Sequence, residues 1–206
     1  MRVSREQAAK NRERVLEAAS ALYREHGFDG VGVAEVMRSA GLTHGGFYGQ
    51  FASKEDLMAQ ACAHALEDAA RGWREIAGQA PQAPLDAVVD RYLSTGHRDH
   101  PGIGCALAAL GPEAARQGPP VRRAITQGTR SRIELIASLM PGRPGVAKRR
   151  RAVHALSSLV GAMVIARVVD DEALSQEFLE TVASSLRGPQ STKAGTRDAT
   201  GAEPAR

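Results

Sequence analysis

Between Val33 and Leu57 the chain reads VAEVMRSAGLTHGGFYGQFASKEDL, an order of residues that few folds accommodate. Val33, Val36, Met37 and Ala40 recur at helical spacing and give a first short helix one apolar face. Gly41 follows where a residue tolerant of positive φ closes a helix cheaply. The pattern then predicts a second short helix, capped by the Thr43 hydroxyl and docked on the first through Phe47 and Phe51, one turn apart. Two short helices joined by so few residues make a helix-turn-helix.

Gly27 and Phe28, Val33 and Val36, Ala40-Gly41-Leu42-Thr43, Gly45, Phe47-Tyr48, Phe51, Ser53-Lys54-Glu55 and Leu57 together resemble the DNA-binding domain of TetR/AcrR-type bacterial transcriptional regulators. The resemblance covers the first third of the chain. Gly32 stands where relatives usually carry Ser or Thr as a helix cap, a position glycine also fills acceptably. The resemblance implies a set of DNA-contacting residues. Thr43, His44, Gly45 and Gly46 open the recognition helix and face base edges in the major groove. Tyr48 and Lys54 hold phosphates, Lys54 from the first turn of a helix whose free N–H groups also attract anions. Arg5, Ser53 and Gln50 complete the set, Gln50 by position only, since relatives often carry His or Tyr there. Phe47 is either a thymine-methyl contact or core, and its spacing to Phe51 favours core. Adjacent glycines cost about 1 kcal/mol each inside a helix, which fits either close approach to DNA or a loose turn.

Charge needs reading by position. The formal net charge of +4 invites nucleic acid, yet residues 1–60 hold eight basic and eight acidic side chains. Residues 1–14 are unbalanced: Arg2, Arg5, Lys10, Arg12 and Arg14 face only Glu6 and Glu13. They read as a basic arm suited to phosphates, or as a solvated terminus. Hydrophobic residues make up 43% of the chain, enough for a core, but only four Phe, three Tyr and one Trp are present. That core must be mainly Ala, Leu and Val, which favours helices. No apolar run approaches the roughly 20 residues of a membrane span, and the polar N-terminus is unlike a signal peptide, so a cytoplasmic protein without a membrane partner is expected. Two cysteines, Cys62 and Cys105, are too few for a disulfide framework and fit a reducing compartment.

Taken in order, Gln7 to His26 reads as a first helix ended by Gly27, and Ser53 caps a long helix from Lys54 to about Ile76 with Asp56 as the acid of a capping box. Beyond the GQAPQAP break, segments 84–97, 103–116, 119–139, 147–169 and 172–187 show helical apolar spacing between Gly/Pro punctuation. The expected fold is therefore all-α. An N-terminal three-helix helix-turn-helix domain, residues 1–65, shares its long helix with a helical ligand-binding and dimerisation domain, residues 66–187. Residues 188–206 lack apolar periodicity and read as a disordered tail. The 147–169 segment is apolar nearly all round after Arg151, so it must be buried, in the core or against a partner. In the resembling family the last two helices form a four-helix dimer interface, which implies a homodimer through 147–169 and 172–187. The run Lys148 to Arg151 lies at a helix N-terminus, where the dipole disfavours cations, and reads as solvated surface or a second anion site.

The remaining conspicuous stretch is HRDHPGIGC, His97 to Cys105. Its His, Asp and Cys spacing matches no usual zinc pattern, so no metal is expected. Cys105 follows a glycine-rich approach and opens the helix ALAAL. A thiol there has its thiolate favoured by the helix dipole, with His97, Arg98 and His100 positioned to add charge. Either it senses electrophiles or oxidants, or it is packing. The run from Tyr92 to Leu110 also resembles the ligand-domain signature of one TetR branch. No nucleophile-base-acid set or cofactor loop is spaced for catalysis, so neither an enzyme nor a cofactor is expected. The favoured reading is a homodimeric repressor released from a near-palindromic double-stranded DNA operator by a small-molecule effector. The alternatives are a thiol sensor acting through Cys105 and a constitutive DNA-binding protein.

Overall fold

The computed structural model of the protein describes residues 4–187. The tail expected at 188–206 and the basic Arg2 lie outside the described residues. Nine α-helices and no strand make up the described part: α1 Arg5–His26, α2 Val33–Ser39, α3 Lys54–Gln79, α4 Pro84–Tyr92, α5 Thr95–Asp99, α6 Ala106–Ala114, α7 Pro119–Leu139, α8 Val146–Val168 and α9 Glu172–Leu186. Short 3-10 turns cover His44–Gly46 and Pro101–Ile103.

Local chemistry sets the boundaries. The Ser4 hydroxyl accepts the Gln7 N–H at 3.1 Å, so α1 starts at Arg5, two residues before the expected point. Gly41 ends α2 with φ +68°, a conformation L side chains rarely adopt. Ser53 caps α3 by accepting the Asp56 N–H at 3.0 Å, while the Asp56 carboxylate takes the Ala52 N–H at 3.0 Å. The helix runs three residues past Ile76. The segment expected as one helix over 84–97 divides, because the Ser94 hydroxyl caps a new turn through the His97 N–H at 3.2 Å.

Buried side chains gather in two large clusters. One holds Tyr23, Phe28, Met37, Phe47, Phe51 and Leu57 together with Leu110 and Val121 from the body helices. The other holds Trp73, Val88, Tyr92, Ile136, Leu159 and Leu179. Ala65, Leu66 and Ala106 form a small bridge between them. α3 runs through all three groups, and Gly128 of α7 lies so close to Leu66 that any side chain there would collide with it. α8 has a mean hydropathy of 1.3 over 18 residues, enough by length and composition to cross a membrane despite its interrupted apolar run. Its Ala155, Leu156, Leu159, Ala162 and Met163 are core, while Val153 and Val168 stay exposed. Of its basic start, Lys148 Nζ donates to Gly142 O and Arg151 Nη2 to Pro141 O, both at 3.0 Å, so these two cations fasten the preceding loop.

Candidate nucleic-acid interface and the joint behind it

The recognition element differs from the expected short helix. Residues 44–46 form a 3-10 turn and 48–50 a further turn, with Gly46 N–H donating to Thr43 O and Phe47 N–H to His44 O, each at 3.1 Å. The Thr43 hydroxyl makes no cap. Gly45, Gly46 and Gly49 within five residues of chain explain the loss of regular helix, since each carries the full backbone-entropy cost. Yet a Cβ at Gly45 would meet nothing within 4 Å, so the protein itself does not require glycine there. The surface at Thr43, His44, Gly45 and Gly46 is open to solvent, and Tyr48 is 74% exposed. Ser53 is exposed, Lys54 half-buried in the first turn of α3, and Arg5 exposed at the start of α1.

Two members of the expected set turn inward. Phe47 is 1% exposed and stacks on Phe51 with centroids 5.7 Å apart, so its ring is core and cannot reach a thymine methyl from this position. Gln50 is half-buried, and its Nε2 donates to Gly46 O at 3.2 Å, bracing the turn. The basic arm is drawn in only in part, and Arg5 stays exposed. From Arg5 on it is helix, Lys10 pairs with Glu6 at 2.7 Å, and Arg12 points inward. Its guanidinium lies 4.5 Å over the Phe51 ring and donates to Gln50 O and Gln60 Oε1. Arg12 is a clamp on the recognition turn, and its helical spacing to Val15 and Ala19 was the signal for an inward side chain.

Behind the head, the His97–Cys105 segment forms the joint to the body. Arg24 of α1 donates to Gly104 O at 3.3 Å, Glu25 lies against Gly102, and Glu113 of α6 accepts the Phe28 N–H at 2.8 Å. From the other side Arg167 of α8 donates to the His97 and Arg98 carbonyls at 2.7 and 3.0 Å. His97 sits between, its Nδ1 2.6 Å from Tyr92 O and its Nε2 accepting the Cys105 N–H at 2.9 Å. That accepting role requires the neutral ring. Burial lowers its pKa from 6.5 to about 4, with the Tyr92 carbonyl opposing and Arg167, Arg91 and Arg132 assisting.

Cys105 is not the accessible thiol its glycine approach suggested. It is 2% exposed, and the three charges expected beside it are absent: His97 is held neutral, Arg98 pairs with Asp99 and Glu172, and His100 faces the Gly96 carbonyl. The cation is Arg132 of α7, with Nη1 3.6 Å from the sulfur. Burial pushes the thiol up, but Arg132, the Tyr92 hydroxyl and the N–H groups of Ala108 and Leu107 outweigh it and hold the pKa below the ordinary value. Cys62 is pushed up to about 12 by desolvation, which Arg24 opposes only in part.

Arg132 was missed in sequence, although it stands on the apolar stripe of α7 with Val121, Ala124, Ile125 and Ile136. A charge on a buried stripe was the available signal. It is 0% exposed, and its guanidinium carbon lies 4.5 Å over the Trp73 ring. Trp73, Arg132, Tyr92, His97 and Cys105 wall a cavity of about 340 Å³ that also touches Arg24 of α1 and Gly104.

Known proteins agree with this architecture. Residues 15–61 match the bacterial regulatory proteins of the tetR family. An uncharacterised HTH-type transcriptional regulator of Mycobacterium tuberculosis is 31% identical over 172 residues, covering 78% of this chain and 86% of that one. The reduced form of NemR from E. coli superposes with a TM-score of 0.71 at 22% identity, over 85% of this chain and 94% of that one. A TetR-family regulator from Agrobacterium tumefaciens gives 0.69 at 17% identity, over 88% of this chain and 100% of that one. At those identities the two structures show the shared fold alone. The match to the tetR family and the sequence relationship to the mycobacterial regulator place this chain in the TetR family of DNA-binding bacterial transcriptional regulators.

Proposed function

We propose that this regulator is a homodimeric repressor, released from a near-palindromic operator when a small molecule occupies its helical body. In this reading residues 1–65 are the DNA-binding head and 66–187 the effector-binding and dimerisation body of a cytoplasmic protein. Thr43, His44, Gly45 and Gly46 meet base edges, while Tyr48, Ser53, Lys54 and Arg5 hold phosphates. Phe47 and Gln50 support the turn from inside.

The observation that carries the effector reading is the shared wall. Gly104 and Cys105 line the body cavity, and the same segment receives Arg24 and Glu25 of α1. An occupant that shifts this segment shifts α1, and two heads set to successive major grooves, roughly 34 Å apart, then lose register. The dimer reading is supported by an outward apolar row on α8, where Val153 is 41% and Val168 78% exposed, continued on α9 by Leu174. Footprinting on operator fragments, with the mass of the complex measured in solution, tests this. Symmetric protection by a dimer is expected, and protection of one asymmetric half-site by a monomer would refute the reading.

A second reading is favoured by one observation, the sulfur of Cys105 held below its ordinary pKa against Arg132. If Cys105 is a sensor, a mild thiol reagent modifies it before Cys62 and releases DNA, and Cys105→Ser stays bound under the same treatment. Equal modification of both thiols, or release unaffected by Cys105→Ser, would reject it.

A further inference from the structure

The guanidinium of Arg132 is unbalanced. It is fully buried, yet among the described residues no carboxylate lies within ion-pair distance of it, and its Nε and Nη2 have no hydrogen-bond partner. The Trp73 face covers the cation and the Cys105 sulfur meets only Nη1. Buried N–H groups left without acceptors are costly, more so on a charge, and Arg132 is among the residues that wall the cavity, so an acceptor brought in there would relieve that cost. Nε and Nη2 are moreover one edge of the guanidinium, the edge that takes a carboxylate side-on through two parallel hydrogen bonds.

Charge around the cavity points the same way. Arg24 and Arg91 join Arg132 on the wall, and Arg24 Nε is likewise buried without a partner. The one acid on the wall, Asp68, is already engaged by Arg71 and by His64 at 3.1 Å. The rest of the lining includes Trp73, Ile76 and Ala69, which suit a flat or branched apolar body. A volume of about 340 Å³ lies at the small end of ligand sites.

We infer that the body cavity binds a small organic carboxylate with an aromatic or aliphatic tail, its carboxylate side-on against Nε and Nη2 of Arg132 and its tail against Trp73. The inference rests on the effector reading above and gives that effector a chemical class. Binding neutralises Arg132 and draws on the cluster of Tyr92, His97 and Cys105 that carries the joint to α1. It also competes with the sulfur for the same cation.

Trp73 is the one tryptophan in the chain, so its fluorescence reports the cavity directly. The full-length protein is titrated with benzoate, phenylacetate and hexanoate, with their neutral amides, and with inorganic phosphate. Saturable quenching by at least one carboxylate, about tenfold tighter than its amide, is expected, with no quenching by phosphate. Arg132→Gln removes that preference. Arg132→Lys, which retains charge but not the two-bond edge, is expected to lose most of it and guards against a misfolded Gln variant. Equal binding of acid and amide in the unaltered protein, no binding by any carboxylate, or binding of phosphate alone would overturn the inference. Operator binding by the untreated protein is measured separately, so a failed repressor reading and a failed carboxylate site give different results.

Discussion

The turn in GLTHGGF and the segment HRDHPGIGC both set small residues near a histidine, and their glycines end on opposite sides of the solvent boundary. In the first, Phe47 and Phe51 anchor the chain from beneath, and His44 and the glycines are left outside. In the second, Gly102 and Gly104 are buried, Glu25 and Arg24 close over them, and His97 is drawn in until it loses its charge. Glycine in the turn leaves room for something outside the protein, whereas glycine in the joint lets two parts of the protein meet. Similar composition makes an exposed turn and a buried joint, and the neighbours decide which.

The largest way to break the contrast is to remove the anchor. Phe47→Ala is expected to destabilise the head by about 3–5 kcal/mol, read from urea unfolding, because a fully buried ring is lost beneath a turn with little helix of its own. A cost below about 1 kcal/mol would mean that the turn holds itself.

The joint is broken by acid. Neutral His97 has a folded-state pKa of about 4 against an ordinary 6.5, so between those values the unfolded chain takes up the proton more readily. Stability from this group is complete above about pH 6.5 and is lost as pH falls towards 4, by at most about 3 kcal/mol. His97→Gln should flatten that part of the pH–stability curve. An unchanged slope would show that His97 is not the group responsible.

Operator binding sharpens the other side. His44→Ala is expected to alter preference among operator variants by about 1–3 kcal/mol, whereas Lys54→Ala weakens all sequences alike and lowers the salt slope by about one. If Lys54→Ala changed preference and left the salt slope intact, the two roles would be wrongly assigned.

The smallest stability effect is expected at Gly45. Its surroundings are empty within the protein, so Gly45→Ala should leave stability within about 0.5 kcal/mol or raise it slightly, while operator affinity falls. Retained affinity would favour the loose-turn explanation of the glycine pair.

Much of this protein was legible in its order of residues. Gly41, Ser53 and the Phe47–Phe51 pair announced their positions because caps, positive φ and helical spacing are local properties, and local chemistry is written in adjacent residues. The all-α architecture followed from periodicity in the same way. Arg12 and Arg132 were not recovered, and the burial of Cys105 was one of two readings left open. Their partners lie far along the chain: Gln50 and Gln60 for Arg12, Trp73 and Cys105 for Arg132. Whether a basic side chain meets water, a ring or a sulfur depends on which helices are brought together, and so does the charge of His97. The sequence by itself determined the helical order and the capped ends at Gly27, Gly41 and Ser53, and which stretch faces DNA in the family it resembles. Tertiary packing alone decided which charges are buried, because desolvation and pairing depend on neighbours that only the folded chain supplies.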